Sequence, residues 1–488
     1  MGRELHCYVT VHYDFTFTAA DNQTATVPVA DVATLQISEK TISGEAAALD
    51  GLAVVGSGSV AVTKLEDAAS SDFSGVSVVG DRTISVTDDV TFVGDLGSEF
   101  EITVASNKTI SASASVLSGQ TILGSGSISV TSTESSLNVD LSAITSANVS
   151  AEVNGTASVV FGTNAKFGKA SININNTNGD VGFEAGVDFG TSTVSVSAGS
   201  TVVLTVGQAE ALSANGIITG AAAGGGEPAA NVYVNTGDVL SSTGGPSEFT
   251  TTVKFDLEGG TLTFDLPEDG NDVLTLSADS AIDLGGGTLV VDSGDLDVSL
   301  LTNSAQFANI DNVTVNSGLT LSAQQLTELT ADGDLNVETT GSGSLVVEVT
   351  SEADINAVKA AMSNLETTSG LPAIGVEASE EAKAGSDTAK AALDTALSDA
   401  ASTIAENAGV SVSVTKTDGG VILVAPSLTI SDSDDASGLL KVDGQGSNAL
   451  PSFEVSLPND PAPASDAVIT IKNSAGNPVA NAALDTLT

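Results

Sequence analysis

Cysteine is nearly absent, with Cys7 the only one in 488 residues. No disulfide can close within the chain, so durability must come from burial, metal binding or assembly. Tryptophan is missing and aromatics make up 3% of residues. The apolar 41% is therefore mostly Ala, Val, Leu and Ile, which suits thin, layered β-structure better than a large aromatic-rich enzyme core. Arginine occurs only at Arg3 and Arg82; 14 basic residues face 62 acidic ones, for a net charge of -48. Such a chain cannot displace counterions from phosphates, which excludes nucleic-acid binding, and anionic membranes are disfavoured on the same ground. The charge favours solubility and divalent cations. No run of 18 apolar residues occurs, so no transmembrane helix and no membrane insertion are expected.

Histidine is confined to His6 and His12. A Ser-His-Asp centre elsewhere in the chain lacks its base. His6 and His12 lie six residues apart on one strand face, roughly 20 Å, too far to share one zinc ion without a bend. Paired carboxylates abound, but sugar-cleaving sites are usually lined with stacking aromatics, and only Tyr8, Tyr13 and Tyr233 join the phenylalanines here. No P-loop or dinucleotide fingerprint is present, since GGG at 285–287 lacks the spacing. The expectation is no catalytic residue and no enzyme. The opening MGRELHCYVTVHYDF has no basic segment followed by an apolar one. No Sec-type signal is therefore expected there; export would be signal-independent, release would accompany a virion, or the given start is not the native one.

What the chain has is alternation. SISVTS (127–132), STVSVSAG (192–199) and VSVSVTK (410–416) read as strands with one buried face. It also has an internal repeat. TISGEAAALDGLAVVGSGSVAVT (41–63) and TISASASVLSGQTILGSGSISVT (109–131) align without a gap at twelve of 23 positions, the whole GSGS included. Looser copies are LTVGQAEALSANG (204–216) and LTLSAQQLTELTADG (319–333). The unit reads as a strand, a single helical turn ended by Gly or Asn-Gly, a second strand, GSGS or ADGD as a tight reversal, and a third strand. One unit cannot bury its own apolar face, so neighbours must stack or pair. No proline lies between Pro28 and Pro228, as expected where most N–H groups enter ladders.

The fold class expected is mostly β: an elongated β-solenoid or a row of β-sandwiches, with a small α+β insert at about 351–424. Residues 1–30 carry an amphipathic aromatic strand, LHCYVTVHYDFTF, as a first strand or attachment segment. A first β-repeat region spans 31–220, a Gly-rich hinge 221–248, and a second β-repeat region 249–350. In the α+β region, 351–450, Ser351 and Asp354 suggest a capping box, and Ile355, Val358, Met362 and Leu365 line one helix face. A second helix fits 386–406, through Leu393, Leu397, Ala400 and Ile404. Both are expected to pack on strands 343–350, 410–416 and 420–424. Residues 451–463 hold four prolines and read as a linker. The tail VITIKNSAGNPVANAALDTLT (468–488) resembles a fragment of a bacterial Ig-like domain, about 20 residues of the ~100 such a domain needs.

Two acidic turns are candidate calcium ligands: LPEDGND (266–272), through Glu268, Asp269 and Asp272, and SDSDDAS (431–437), through Asp432, Asp434 and Asp435. Six Asn-x-Ser/Thr sequons, at Asn22, Asn107, Asn148, Asn154, Asn175 and Asn312, are near the number chance supplies in so Ser/Thr-rich a chain.

The acidic, Ser/Thr/Gly/Ala/Val-rich makeup with its LTLSAQQL-type repeat resembles bacterial surface-layer and adhesin-like proteins and phage fibre proteins. That resemblance implies a non-enzymatic extracellular structural protein, at a cell or virion surface, that assembles with copies of itself. The alternative is an adhesin or fibre binding a cell-surface glycan or receptor, and the third is a β-helix polysaccharide-active enzyme. Ca²⁺-driven lattice formation, a glycan-array hit, and turnover of acidic polysaccharide separate the three.

Overall fold

The computed structural model describes the strands at 14–18 and 24–28 and residues 35–424, except 38, 40, 66–69, 98, 132–138, 146–147, 156, 178, 225, 236–247, 267–272, 332–335, 339–342, 365–372 and 409–411. It is mostly β and elongated, 46% strand and 20% helix. Pairing decides between stacked solenoid and tandem sandwich. Nearly every ladder is parallel and joins a strand to its equivalent one turn of chain later, as Ser129 to Ser150, Ser150 to Ser171, and Ser171 to Thr193. The rungs build sheets of seven, sixteen, eight and three strands. This is a parallel β-solenoid.

Alternation sets the inside. In Ser127–Val130, Ser171–Asn176 and Thr193–Val196 every second side chain is buried. Ala112, Val130, Ala151, Ile172 and Val194 stack rung on rung, each at most 2% exposed. Apolar area removed from water in this way is worth ~25 cal/mol per Å². Phenylalanines cluster in the described core: Phe161 lies 5.1 Å from Phe167 and 5.2 Å from Phe183, and Phe189 lies 5.0 Å from Phe183.

One corner repeats a short signature missed in the sequence reading, Asp-[Phe/Leu]-[Ser/Gly]. It occurs at Asp72-Phe73-Ser74, Asp95-Leu96-Gly97, Asp140-Leu141-Ser142 and Asp188-Phe189-Gly190, with Lys166-Phe167-Gly168 as a variant. The aspartate takes the N–H two residues on at 2.7–3.0 Å, an Asx turn. The middle residue is buried in the core. Main-chain bonds then tie corner to corner: Phe73 N–H to Asp95 O, Leu141 N–H to Lys166 O, and Phe167 N–H to Asp188 O.

GSGS is not a reversal. At 56–59 it carries the chain from a strand of the three-stranded sheet, Val54–Gly56, to one of the seven-stranded sheet, Ser59–Lys64. At 124–127 it links Thr121–Gly124 of the seven-stranded sheet to Ser127–Val130 of the sixteen-stranded one. The flanking strands do not pair; each pairs with neighbouring rungs. The motif is a corner between faces.

The helical turns within the two copies are α1 (Ala46–Leu49) and α2 (Ala114–Leu117). As expected, each is followed by a glycine at positive φ, Gly51 and Gly119. In the looser copies the turn lengthens into α3 (Val206–Asn215) and α4 (Ala323–Ala331). Thr205 with Gln208, and Ser322 with Gln325, exchange reciprocal capping bonds of 2.7–3.2 Å. Each glutamine also donates its Nε2 to the preceding rung, Gln208 to Phe183 O and Gln325 to Val298 O. These amides satisfy carbonyls that the helices leave without a strand partner.

Of the hinge expected at 221–248, residues 225 and 236–247 lie outside the described residues. The chain leaves and re-enters the sheet at Ala221 and Ala230, whose N–H bonds Ala221 O at 3.0 Å and closes the base of a side loop. The strands before and after it, Ile218–Gly220 and Asn231–Asn235, stay in the sheet. The regions at 31–220 and 249–350 contribute to the same sixteen-stranded sheet. The strand Ala281–Ser293 belongs to both arms of that sheet, bending at Gly285 and Gly286, both at positive φ.

The α+β insert continues the eight-stranded sheet. Strands Ser344–Val349, Ala373–Ala378 and Val412–Thr415 pair in parallel. Helix α5 (Glu352–Met362) crosses between the first two; α6 (Glu380–Lys383) and α7 (Asp387–Ala408) cross between the second two. The middle strand was not expected. Ile355, Val358, Met362, Leu393, Leu397, Ala400 and Ile404 are buried as the helical spacing predicts, whereas Leu365 lies outside the described residues. Ser351 accepts from Asp354 N–H at 3.3 Å, and the Asp354 carboxylate takes the N–H of Thr350 at 2.8 Å. An antiparallel strand, Val421–Val424, is the last of this sheet among the described residues. At the other end the hairpin of Asp14–Thr18 and Thr24–Pro28 sits antiparallel on Thr41–Glu45. Residues 1–13 and the tail after 424 lie outside the described residues.

Candidate functional site

The sequence nominated acidic turns, and all six of their residues lie outside the described set: Glu268, Asp269 and Asp272 within 267–272, and Asp432, Asp434 and Asp435 beyond 424. His6 and His12 do as well. Among the described residues no group of three or more His, Cys, Asp or Glu is arranged to hold a metal ion. None of their helices is long and apolar enough to cross a membrane.

The described surface offers three other places. The first is a column of hydroxyls on the outward face of the sixteen-stranded sheet. Thr91, Ser111, Ser129, Ser150, Ser171 and Thr193 stand one per rung in continuous register. Adjacent strands set them ~4.8 Å apart. Beside the column, Asn173 donates to the Glu152 carboxylate at 2.6 Å, and Asn175 to Asn154 at 3.0 Å. In a chain of charge -48, this strip is nearly neutral and presents regularly spaced donors and acceptors.

The second is a cleft of about 460 Å³ lined by Gly80, Asp81, Arg82, Thr83, Glu99, Glu101 and Thr121. Arg82 pairs with Glu99 across the rung, and Glu99 adopts φ 63, uncommon for a non-glycine residue. Three carboxylates around one guanidinium, itself paired, repel anions. The lining suits hydroxylated or cationic ligands.

The third lies on the eight-stranded sheet beneath α6. Glu348 and Glu377 stand side by side on neighbouring parallel strands. Thr415 donates to Glu377 at 3.2 Å. Lys383 reaches back to Glu380 at 2.7 Å. Burial, then repulsion from Asp297 and Glu377, pushes the Glu348 carboxyl above the usual carboxylate range despite the attraction of Lys383. The hydrogen bond to Glu380, with the charges of Glu377 and Glu348, holds Lys383 above the usual ammonium range. Asp256 is likewise pushed up by burial and by Asp283 and Glu258, and Asp295 by burial. The sequence could not reveal these clusters, because parallel pairing brings together residues far apart in the chain.

These shifts set a pH dependence. A carboxyl raised in the folded state favours its neutral form there, so folding gains stability as pH falls through the raised value towards the ordinary one. Glu348, Asp256 and Asp295 all act in that direction. Asp72, held down by the hydroxyl and N–H of Ser74, acts oppositely and loses its contribution on protonation. The melting temperature should therefore rise as pH falls from 8 towards the ordinary carboxylate range, then fall below about pH 4, where Asp72, Asp140 and Asp354, all held down in the folded state, take up protons. Glu348→Gln should raise the melting temperature at pH 8 and flatten part of the rise. A variant less stable than the parent across the whole range would show that the buried charge is well paired. Thermal melts followed by circular dichroism distinguish the two.

No family model, curated protein or solved structure matches this chain.

Proposed function

We propose that the chain is a non-enzymatic structural protein that self-assembles on the outside of a cell or virion. The observation that carries this reading is a stack of rungs bordered, among the described residues, by a short antiparallel hairpin on either side, Asp14–Thr18 with Thr24–Pro28 and Val412–Thr415 with Val421–Val424. The inside of each rung is given to packing and the outside to regularly spaced small polar groups. Such a rod is an extended, repetitive surface, the kind that contacts many equivalent neighbours. With no disulfide possible within the chain, burial within the rod and between copies supplies durability. Like charge keeps copies apart, so divalent cations, calcium first among them, screen or bridge them in the assembly. Negative-stain electron microscopy of the purified protein with and without Ca²⁺ tests this. Ordered filaments or sheets on adding Ca²⁺ are expected; single particles under both conditions would overturn the reading.

The neutral hydroxyl column and the Arg82 cleft favour a second reading, an adhesin or fibre that binds a glycan. A glycan-array signal from protein that stays unassembled, lost on Arg82→Ala, would favour it over the first.

A further inference from the structure

Val421–Val424 is the last strand of the described residues and, among them, lies at the edge of the eight-stranded sheet. Its sequence, VILV, is apolar on both faces, a pattern normally covered on both. Val421 and Leu423 are each 59% exposed, while Ile422 and Val424 pack partly on the core. The other large exposed apolar residues, such as Val79, Val160 and Leu300, occur singly in different parts of the fold. Apolar edge strands invite pairing and are usually protected by charge, proline or a cover.

The hairpin fixes which groups face that edge. Lys416 N–H bonds Gly420 O at 2.9 Å, Gly419 N–H bonds Lys416 O at 3.0 Å, and Gly419 has φ 81. This is a three-residue loop with a left-handed glycine. Antiparallel bonds alternate from there. Ile422 and Val424 direct their N–H and C=O towards Val414 and Val412, their partners in the ladder. Val421 and Leu423 direct theirs outward.

We propose that this edge docks a second copy of the chain, the two Val421–Val424 strands pairing antiparallel about a two-fold axis centred on Ile422. The proposal rests on the self-assembly reading and gives it one defined contact. In this register Val421 lies opposite the partner copy's Leu423, and Leu423 opposite the partner copy's Val421. The four exposed side chains meet on one face, joined by four main-chain hydrogen bonds. Charge permits the approach. The strand has no ionisable side chain, and neither do Ser413, Gly375 and Val346, which continue the row from Leu423; the row from Val421 passes through Thr415 before it reaches Glu377 and Glu348, two and three strands in from the edge. Two copies of a -48 chain can meet there without opposing carboxylates. Four-residue edges bury far less than the ~1,200–2,000 Å² of a stable interface, so the contact is a weak, reversible node that acts in number.

Single-cysteine variants in a Cys7→Ser background test it. Ile422 and its symmetry mate form a non-hydrogen-bonded pair with Cα atoms ~4.5 Å apart, within disulfide reach. Under mild oxidation Ile422→Cys should give dimer several-fold above the Val79→Cys control, whose site is 89% exposed. Adding Leu423→Lys should remove the excess while circular dichroism stays unchanged. Dimer yield no higher from Ile422→Cys than from Val79→Cys would overturn the proposal, whether a different partner or another part of the chain covers the edge. Ca²⁺-dependent arrays that persist in that case would leave self-assembly standing. The crosslink without arrays would do the reverse.

Discussion

Phe167→Ala should destabilise the protein by about 3–5 kcal/mol, the usual cost of emptying a buried aromatic site. Phe167 is fully buried. Its ring lies 5.1 Å from Phe161, 5.9 Å from Phe183 and 6.0 Å from Phe189, edge-on to the first two and stacked on the third. The cavity would open among side chains of consecutive rungs, and no large aromatic stands ready to fill it in a chain with 3% aromatics. A solenoid is held by nearest-neighbour contacts, so damage at one rung weakens the coupling of everything above to everything below. Unfolding in urea should shift to lower midpoint and broaden, and amide exchange should accelerate first around 159–190. Phe167→Leu, which keeps most of the volume, should cost under about 1.5 kcal/mol. If alanine and leucine behave alike, the aromatic stack is not what holds these rungs.

The second large effect is expected at a corner glycine. Gly124 has φ 102, and a Cβ there would lie 2.2 Å from the carbonyl oxygen of Val104 on the preceding rung. Backbone cannot swing aside as a side chain can, so Gly124→Ala combines left-handed strain with a main-chain clash, about 3 kcal/mol or more. Gly119 gives the contrast. It has φ 72 and open space around its Cβ direction. Gly119→Ala should carry only the conformational term, about 1 kcal/mol. Denaturation midpoints of the two variants test the corner geometry, and equal costs would mean that the rungs approach less closely there.

These two sites also show what the sequence revealed and what it hid. GSGS was recognisable as structured, because it recurred in frame with Leu and Ile positions. Its role was not, since a corner between sheets and a hairpin reversal use the same glycines. They differ only in whether the flanking strands pair with each other, which is a non-local fact. The strands at 127–130, 193–196 and 412–415 were legible from period-2 alternation, and the helices near 352–362 and 387–408 from their apolar spacing. The strand Ala373–Ala378 was not, because AIGVEA carries Ala, Gly and Glu, which strands disfavour. The parallel sheet on both sides of it overrides that preference. The Asp-[Phe/Leu]-[Ser/Gly] corner escaped notice for a different reason. Its copies at Asp72, Asp95, Asp140 and Asp188 are unevenly spaced, and a lysine replaces the aspartate at Lys166. A fixed-period search passes over such a ladder, whereas pairing each buried Phe or Leu with the acid before it would have found it.

The candidate sites divide in the same way. Runs of acid in one loop are visible in sequence, and the calcium candidates were chosen from them. The pair Glu348 and Glu377, the cleft around Arg82 and the hydroxyl column each draw on several rungs. Their members become neighbours only once the winding is known.

That winding makes distance along the rod depend on rung number, not on residue number. Spin labels on cysteines at outward hydroxyl positions, in a Cys7→Ser background, measure this directly by pulsed electron paramagnetic resonance. Thr91 and Thr193 stand five steps apart in the column, and Ser111 and Thr193 four. At ~4.8 Å per step the backbone separations should be about 24 Å and about 19 Å, each with a narrow distribution once label length is included. Broad distributions, or a Thr91–Thr193 distance no longer than that of Ser111–Thr193, would contradict the stacked solenoid.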